Sequence, residues 1–319
     1  MESVDQIRSE EMRNWLDLPQ DVMLLIFMKL GPVEVLVRAQ SVCSSWRKLS
    51  KEPQLWRLID FRDHWDLAPY EVDFEEVVRH AVDRSCGQLI EFSIEHVCTD
   101  EFLKYITDRC CSLRCLRLAH CNNVTDKGMI EAVKKLPLLE ELDLSYCQFP
   151  KNVLQALGQF CPQLKSFILN SYGRFACVYK DYDEVALAIA ENMPELRYLQ
   201  IFRNKLTDDG LRAILDGCPH LEYLDLRQCI NVNLEGDLQS RCADRIKSLK
   251  LPDDPSEENE FDAGTDFDEW YDDDLSGFSE VDLMSNDDYD DYDEYDGYYE
   301  FSDGSDLSDY GGYLSDFAF

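Results

Sequence analysis

Residues Leu18–Trp56 read LPQDVMLLIFMKLGPVEVLVRAQSVCSSWRKLSKEPQLW. Pro19 suits the first position of a helix, where its missing N–H is not needed. Val22, Ile26, Phe27 and Leu30 recur at helical spacing, with Met23 and Leu25 widening the stripe. Gly31-Pro32 punctuates, a glycine past one helix end and a proline opening the next. Val35, Leu36 and Ala39 give a second helix its face, and Val42, Cys43, Trp46 and Leu49 a third. Pro53 starts a last turn carrying Leu55 and Trp56.

Short helices over ~40 residues bury too little surface to be stable alone. The first is apolar almost all round, and such a helix needs cover on several sides. The local chain covers one side, and a partner protein is the natural cover for the other. Which face turns inward is left open by the sequence.

The block resembles an F-box: Leu18-Pro19, Ile26-Phe27, Leu30, Val42-Cys43, Trp46-Arg47 and Leu55-Trp56 follow in order at family spacing. Asp21 stands where the family usually has Glu. The resemblance implies docking to the Skp-type adaptor of a cullin–RING ubiquitin ligase. Leu18, Pro19, Ile26 and Leu30 would face the adaptor, and Trp46 would be shared between core and interface.

Beyond this block, residues 62–85 begin irregularly with His64, Trp65 and Pro69. Phe74, Val77, Val78, Ala81 and Val82 then predict a helix. From Cys86 onward one pattern returns, L-x-x-L-x-L with Ile and Phe allowed. Its copies are Leu89-Phe92-Ile94, Leu113-Leu116-Leu118, Leu139-Leu142-Leu144, Leu164-Phe167-Leu169, Leu196-Leu199-Ile201, Leu221-Leu224-Leu226 and Ile246-Leu249-Leu251. The steps are 24, 26, 25, 32, 25 and 25 residues, a leucine-rich-repeat period. Each L-x-L predicts a strand with both side chains inward, followed by a helix; Thr125 and Thr207 offer N-caps. Burying three leucines stabilises by ~5–9 kcal/mol, whereas ordering some 25 residues costs about 1 kcal/mol or more each. A unit therefore folds only by sharing a core with its neighbours. The last is truncated at Pro252, leaving an edge to cover.

Cys86, Cys110, Cys161 and Cys218 lie three residues before a repeat's first apolar position, and Cys121, Cys147 and Cys229 eight after it. These are ladder positions, where a buried thiol can bond weakly to backbone. Cys111 and Cys115 alone approach zinc-ligand spacing and no second pair follows, so no metal is expected. The cysteine-bearing repeats resemble the subtype commonly joined to F-boxes, and residues 15–252 look like a plant F-box/leucine-rich-repeat protein. The expected fold class is α plus α/β: a small helical F-box, a solenoid with its parallel sheet concave and helices convex, then a disordered acidic tail. The boundaries are 1–14 flexible, 15–62 F-box, 63–85 linker and capping helix, 86–252 about seven repeats, and 253–319 tail.

Net charge is −34, but residues 251–319 hold 26 Asp and Glu and no Lys or Arg. That leaves 39 acidic and 31 basic residues in 1–250, an ordinary balance. Nothing is basic enough for a nucleic-acid groove, no apolar run reaches membrane-spanning length, and the start MESVDQIRSE lacks signal-peptide character. The expected location is nucleus and/or cytoplasm, where thirteen cysteines stay reduced. The tail alternates acids with 15 aromatics. It reads as a solvating appendage, a ligand for a basic surface of a partner or of this chain, or an acidic–aromatic activation segment.

Strand alternation places Arg117, Asp143, Tyr146, Tyr198, Phe202, Arg203, Tyr223, Asp225 and Arg227 on the concave surface. Tyr and Arg are favoured at interface centres. Arg117, Tyr146, Tyr198, Phe202, Arg203, Tyr223 and Arg227 are therefore the candidate substrate contacts, against the alternative of an ordinary polar sheet face. The long step falls in SYGRFACVYKDYD, where Tyr172, Arg174, Phe175, Tyr179 and Tyr182 form either a specificity loop or a tolerated insertion. The five histidines form no unit with a nucleophile or acid, and no phosphate-binding motif is present. His96 and His120 share a repeat position and are expected to be neighbours. The expected function is a non-catalytic substrate-recognition subunit of an SCF-type ligase, with no cofactor. It would bind a Skp-type adaptor, through it cullin and the RING subunit, and an unknown protein substrate. The alternative is a ligase-independent scaffold. A small-molecule receptor would resemble hormone receptors whose solenoids are much longer.

Overall fold

The computed structural model describes residue 15 and residues 18–62, 74–171 and 183–255. The candidate loop at 172–182, the N-terminal segment 1–14, residues His64, Trp65 and Pro69, and the acidic tail from residue 256 lie outside these.

The helical block begins with α1 (Gln20–Val37), which runs through a non-helical Gly31 at φ 82°. The glycine-proline punctuation thus divides α1 into two helical stretches that meet at a sharp kink, as the sequence predicts. Pro19 caps the helix instead of opening it, with extended ψ at the N-cap. A short 3-10 turn (Ala39–Ser41), α2 (Ser44–Leu49) and a second turn (Pro53–Trp56) follow. Met23, Phe27, Val35, Leu36 and Ala39 turn inward, which answers the question of which face of the block is core.

Among the described residues, one parallel sheet of eight strands runs in chain order, β1 (Leu58–Phe61), β2 (Glu91–Glu95), β3 (Cys115–Ala119), β4 (Glu141–Asp143), β5 (Ser166–Ile168), β6 (Tyr198–Gln200), β7 (Tyr223–Asp225) and β8 (Ser248–Lys250). Helices α3 (Phe74–Arg84), α4 (Asp100–Arg109), α5 (Asp126–Val133), α6 (Lys151–Phe160), α7 (Glu184–Asn192), α8 (Asp208–Gly217) and α9 (Leu238–Arg245) connect them. The repeated leucines fill one core between sheet and helices. The sequence period starts at Leu89, yet the sheet starts a unit earlier. Trp56, Ile59 and Phe61 have the same spacing as Leu89, Phe92 and Ile94, and Ile59 pairs with Phe92. The end of the helical block is therefore itself the first repeat, with aromatics where later units carry leucine.

Two ladders hold the units in register. At the seventh residue after the first apolar position of five units, His96, His120, Tyr146, Arg203 and Gln228 adopt left-handed φ of 64°, 52°, 60°, 57° and 59°. That conformation is costly for a non-glycine residue. Here it aims each N–H at the next unit's carbonyl: His120 N at Ser145 O (3.0 Å), Tyr146 N at Asn170 O (2.8 Å), Arg203 N at Arg227 O (3.1 Å). The following cysteine donates backward, Cys147 Sγ to Leu118 O (3.4 Å) and Cys229 Sγ to Ile201 O (3.1 Å). Cys110, Cys161 and Cys218 are buried at helix C-caps. Cys86 departs from the expected pattern and is exposed. Helix α3 ends early, and Ser85 takes the buried place beside Cys110 Sγ at 3.9 Å.

The second ladder runs along the helix N-termini. Thr99, Thr125 and Thr207 cap α4, α5 and α8. The Asp100 carboxylate reaches across to accept from Thr125 N and Oγ1 at 2.7 and 2.6 Å. Asp183 does the same for Thr207, at 2.7 Å from both atoms. Asp208 accepts from Asn233 N (2.9 Å), Leu234 N (3.1 Å) and Glu235 N (2.9 Å). Each carboxylate satisfies backbone donors that the next unit would leave open.

Partial burial would raise the Asp208 carboxyl, but the three backbone N–H groups of Glu235, Asn233 and Leu234 hold it below its ordinary value. A carboxyl lowered in the folded state adds stability above its unfolded pKa and loses it in acid. Asp208→Ala should cost about 1–2 kcal/mol in urea unfolding at neutral pH, and the difference from wild type should shrink below roughly pH 4. Burial pushes Cys218 up to about 11 and Cys161 and Cys229 up to about 12. Thiolate is the reactive form, so a thiol reagent at pH 8 should modify exposed Cys86 and Cys111 first and reach the ladder cysteines only on unfolding. Peptide mapping of the modified chain reads out the order.

Candidate functional site

Two surfaces collect the candidate residues. On the helical block, Leu18, Val22, Leu25, Met28 and Leu30 of the outer face are exposed, Leu25 at 61%. Leu18, Pro19 and Leu30 lie on the surface; Ile26 and Trp46 are half-buried and pack on the core. The Trp46 ring meets Phe27 edge-on at 5.3 Å and Trp15 at 6.4 Å. Val22, Leu25, Met28 and Val42 are exposed apolar positions that sequence reasoning did not name as adaptor contacts. The signal was available: Met23 and Phe27 are four apart and face the core, which turns Val22, Leu25 and Met28 outward.

The outer face is joined firmly to the repeats. Trp56, 1% exposed, donates from Nε1 to Ser50 O at 2.9 Å. Arg84 on α3 lies over its ring at 5.5 Å and bonds Gln40 Oε1 (2.8 Å) and Ser50 O (3.3 Å). These contacts bind α3 to the helical block, so the apolar outer face and the sheet belong to one packed body.

The second surface is the sheet face opposite the helices. Strand register aligns Glu91, Cys115, Glu141, Ser166, Tyr198, Tyr223 and Ser248 in one row. Ser93, Arg117, Asp143, Ile168, Gln200, Asp225 and Lys250 form the next. Tyr198 and Tyr223 stand side by side, rings 4.1 Å apart and 5° from parallel. Burial comes first, with the hydrogen bond and charge of Tyr223 and the charges of Asp225 and Asp143 behind it, in raising the Tyr198 phenol well above its usual range. Arg117 spans Glu91 (3.5 Å) and Glu141 (3.3 Å).

Two candidates are not on the open surface. Phe202 is 0% exposed and Tyr146 is also buried. Phe202 lies beneath Arg203 and Arg227, whose guanidinium carbons sit 5.2 and 5.9 Å from its ring centre. Tyr146 is one member of a stack in which His120 lies 4.4 Å from Tyr146 and 4.7 Å from His96. The neighbouring position of the two histidines is as expected, and the tyrosine completes their stack. Alternation assigns a side chain to a face; it does not say that its neighbours close over it. Asp143 and Asp225 are buried on this face for the same reason. Burial raises the Asp143 carboxyl, against the hydrogen bonds of Ser145 and the charges of Arg117 and Arg62. Arg227 grips buried Asp225 with Nε at 3.0 Å and Nη2 at 2.6 Å, and its side chain is 11% exposed. Arg203 bonds Gln228 Oε1 at 2.6 Å and keeps a half-exposed surface.

Among the described residues, no group of three or more His, Cys, Asp or Glu is placed to hold a metal ion. No described helix is long and apolar enough to cross a membrane.

The F-box-like family model matches residues 15–62, and the Leucine Rich repeat model matches residues 109–131 and 193–215. F-box protein SKIP19 of Arabidopsis thaliana is 46% identical over 278 residues, covering 87% of this chain and 88% of that protein. The chain is an F-box/leucine-rich-repeat protein. F-box/LRR-repeat protein 23 of the same plant is 47% identical over 248 residues, 78% of this chain, and the chain spans only 55% of that relative. F-box protein SKIP1, also of Arabidopsis thaliana, is 32% identical over 263 residues, 76% of this chain and 87% of that one. The F-box match contains the exposed apolar face together with β1, the strand through which the block enters the repeat sheet.

Arg227→Gln should leave Asp225 buried without its guanidinium and cost about 3–5 kcal/mol. Arg203→Gln should cost about 1 kcal/mol or less. Urea denaturation of both variants tests whether the arginine paired with a buried carboxylate carries more of the stability than the one bonded to Gln228.

Proposed function

We propose that this F-box/leucine-rich-repeat protein is the substrate-recognition subunit of an SCF-type ubiquitin ligase. The observation that supports the reading is the set of exposed apolar side chains Leu18, Val22, Leu25, Met28 and Leu30, on and beside a helix whose Met23 and Phe27 already fill the core. Exposed apolar side chains gathered on one short block point to an interaction site, and the F-box match supports a Skp-type adaptor as the occupant. Cullin and the RING subunit would follow through that adaptor. The sheet face, with its paired tyrosines and Arg203, would hold a protein to be modified. The contribution of the chain is proximity: a tethered substrate meets the transfer enzyme at a high effective concentration. The packed joint at Trp56 serves this role, because a loose hinge would dilute the effect. Bond-making would lie with other subunits, and the complex would work in the nucleus and/or cytoplasm.

Leu18→Ala with Pro19→Ala, and separately Leu25→Asp, should abolish co-purification with adaptor and cullin while leaving the melting temperature within a few degrees. Undiminished co-purification of both variants would defeat the ligase reading. Capture under proteasome inhibition, comparing the intact chain with an Arg203→Ala, Tyr223→Ala variant, should then lose substrate proteins but keep the adaptor.

A further inference from the structure

The proposed function leaves open what chemistry the sheet face selects, and the charges at the end where the strands begin bear on it. The residues directly before β3 to β8 are Arg114, Glu140, Lys165, Arg197, Glu222 and Lys247. From Glu140 onward each donates its backbone N–H to the carbonyl of the one before it in this row, at 2.8–2.9 Å. The six therefore stand side by side, one strand spacing of about 4.8 Å apart. Four are cations and two are carboxylates.

Each carboxylate is already shared. Glu140 lies between Arg114 and Lys165, whose Nζ is 3.0 Å away, and Glu222 between Arg197 (3.0 Å) and Lys247 (2.7 Å). That order of signs leaves Lys165 and Arg197 as neighbours with no carboxylate of the row between them. Like charges side by side on adjacent strands are unfavourable. Each cation turns to the glutamate on its far side, so the opening between them is flanked by positive charge on both sides. The two side chains keep 46% and 52% of their surface. Glu195, exposed in the turn before β6, makes no ion pair with either among the described residues. The strands continue from this pair with Ser166 and Tyr198, whose ring is stacked on Tyr223. Toward β2 the ratio is reversed, and the one guanidinium of Arg117 serves both Glu91 and Glu141.

We infer that the opening between Lys165 and Arg197 takes an aspartate or glutamate side chain of the polypeptide held on the sheet face. Charge complementarity selects this occupant: a carboxylate there offsets the excess of cations in the row and screens Lys165 from Arg197. The guanidinium and the ammonium supply charge-assisted donors from two sides. The Tyr198–Tyr223 pair beside the opening offers the neighbouring residue of the polypeptide an apolar surface. The reversed ratio around Arg117 directs the acidic side chain to β5 and β6 and away from β2 to β4. This rests on the reading of the sheet face as the polypeptide-binding face.

The test uses the purified full chain and immobilised random short peptides with glutamate, glutamine or lysine fixed at the centre. Glutamine keeps the shape of glutamate without its charge. Wild type should retain the glutamate set about tenfold better than the glutamine set, and the lysine set least, with the preference shrinking as salt is raised. Lys165→Gln with Arg197→Gln should remove the preference. Both positions are exposed and each glutamate keeps its other cation, so the melting temperature should stay within a few degrees. Lys165→Glu with Arg197→Glu should turn the preference toward the lysine set. Lys127→Gln with Lys134→Gln, exposed at α5, changes the net charge equally and should leave the preference as in wild type. Equal retention of glutamate and glutamine sets by wild type would overturn the site while leaving peptide binding by the face intact. A preference undiminished in the Lys165, Arg197 variants, or lost equally in the α5 variant, would overturn it too. Retention of no set would overturn both the site and the reading of the face beneath it.

Discussion

The pairing of β1 with β2 is the constraint on which the rest of the molecule depends. A leucine-rich unit cannot fold alone, because the surface it buries does not offset the entropy of ordering it. The first unit needs a neighbour on the side where the repeats run out. The helical block supplies it from within, placing Trp56, Ile59 and Phe61 in the core at the positions where later units place leucines. Trp56 then has two roles. It closes the small helical core through Ser50 and Arg84, and it starts the large one. The block is stable because it is part of the stack, and the stack has a sealed end because the block is there.

Register along the stack is kept by polar groups more than by the leucines, which tolerate sliding. The left-handed residues after five of the strands, the backward-donating cysteines and the aspartates at the helix N-termini each join one unit to the next. All three recur at about the repeat period, so their energies accumulate along the solenoid. The same periodicity that makes the fold cheap to encode makes its sheet face a lattice. Any residue placed on that face has neighbours at known spacing, and a site arises wherever adjacent units differ.

Much of this was legible in the residues. The repeat pattern is local, and each copy announces its strand without reference to the others. Thr125 and Thr207 were readable as caps because an N-cap acts within one turn. Thr99 carries the same signal and was passed over. The first strand was missed because Trp56 and Phe61 are aromatic, and because Trp56 precedes Leu89 by 33 positions, outside the common step. Cys86 fits the spacing of its ladder but not the place, since α3 ends at Arg84 and Ser85 is buried instead.

By itself, the chain's order of residues determined the class of the molecule: an apolar helical block, a repeating strand-and-helix unit, and the face of the sheet to which each side chain belongs. Those follow from periods of two, 3.6 and about 25, which are properties of neighbouring residues. Only the tertiary structure decided which side of α1 is core, that the block provides a strand, and that Phe202, Tyr146 and Asp225 are covered while Tyr198 and Arg203 keep part of their surface. Burial and hydrogen-bond satisfaction depend on what neighbouring units bring across the sheet, and those partners lie some 25 residues or more away in the chain.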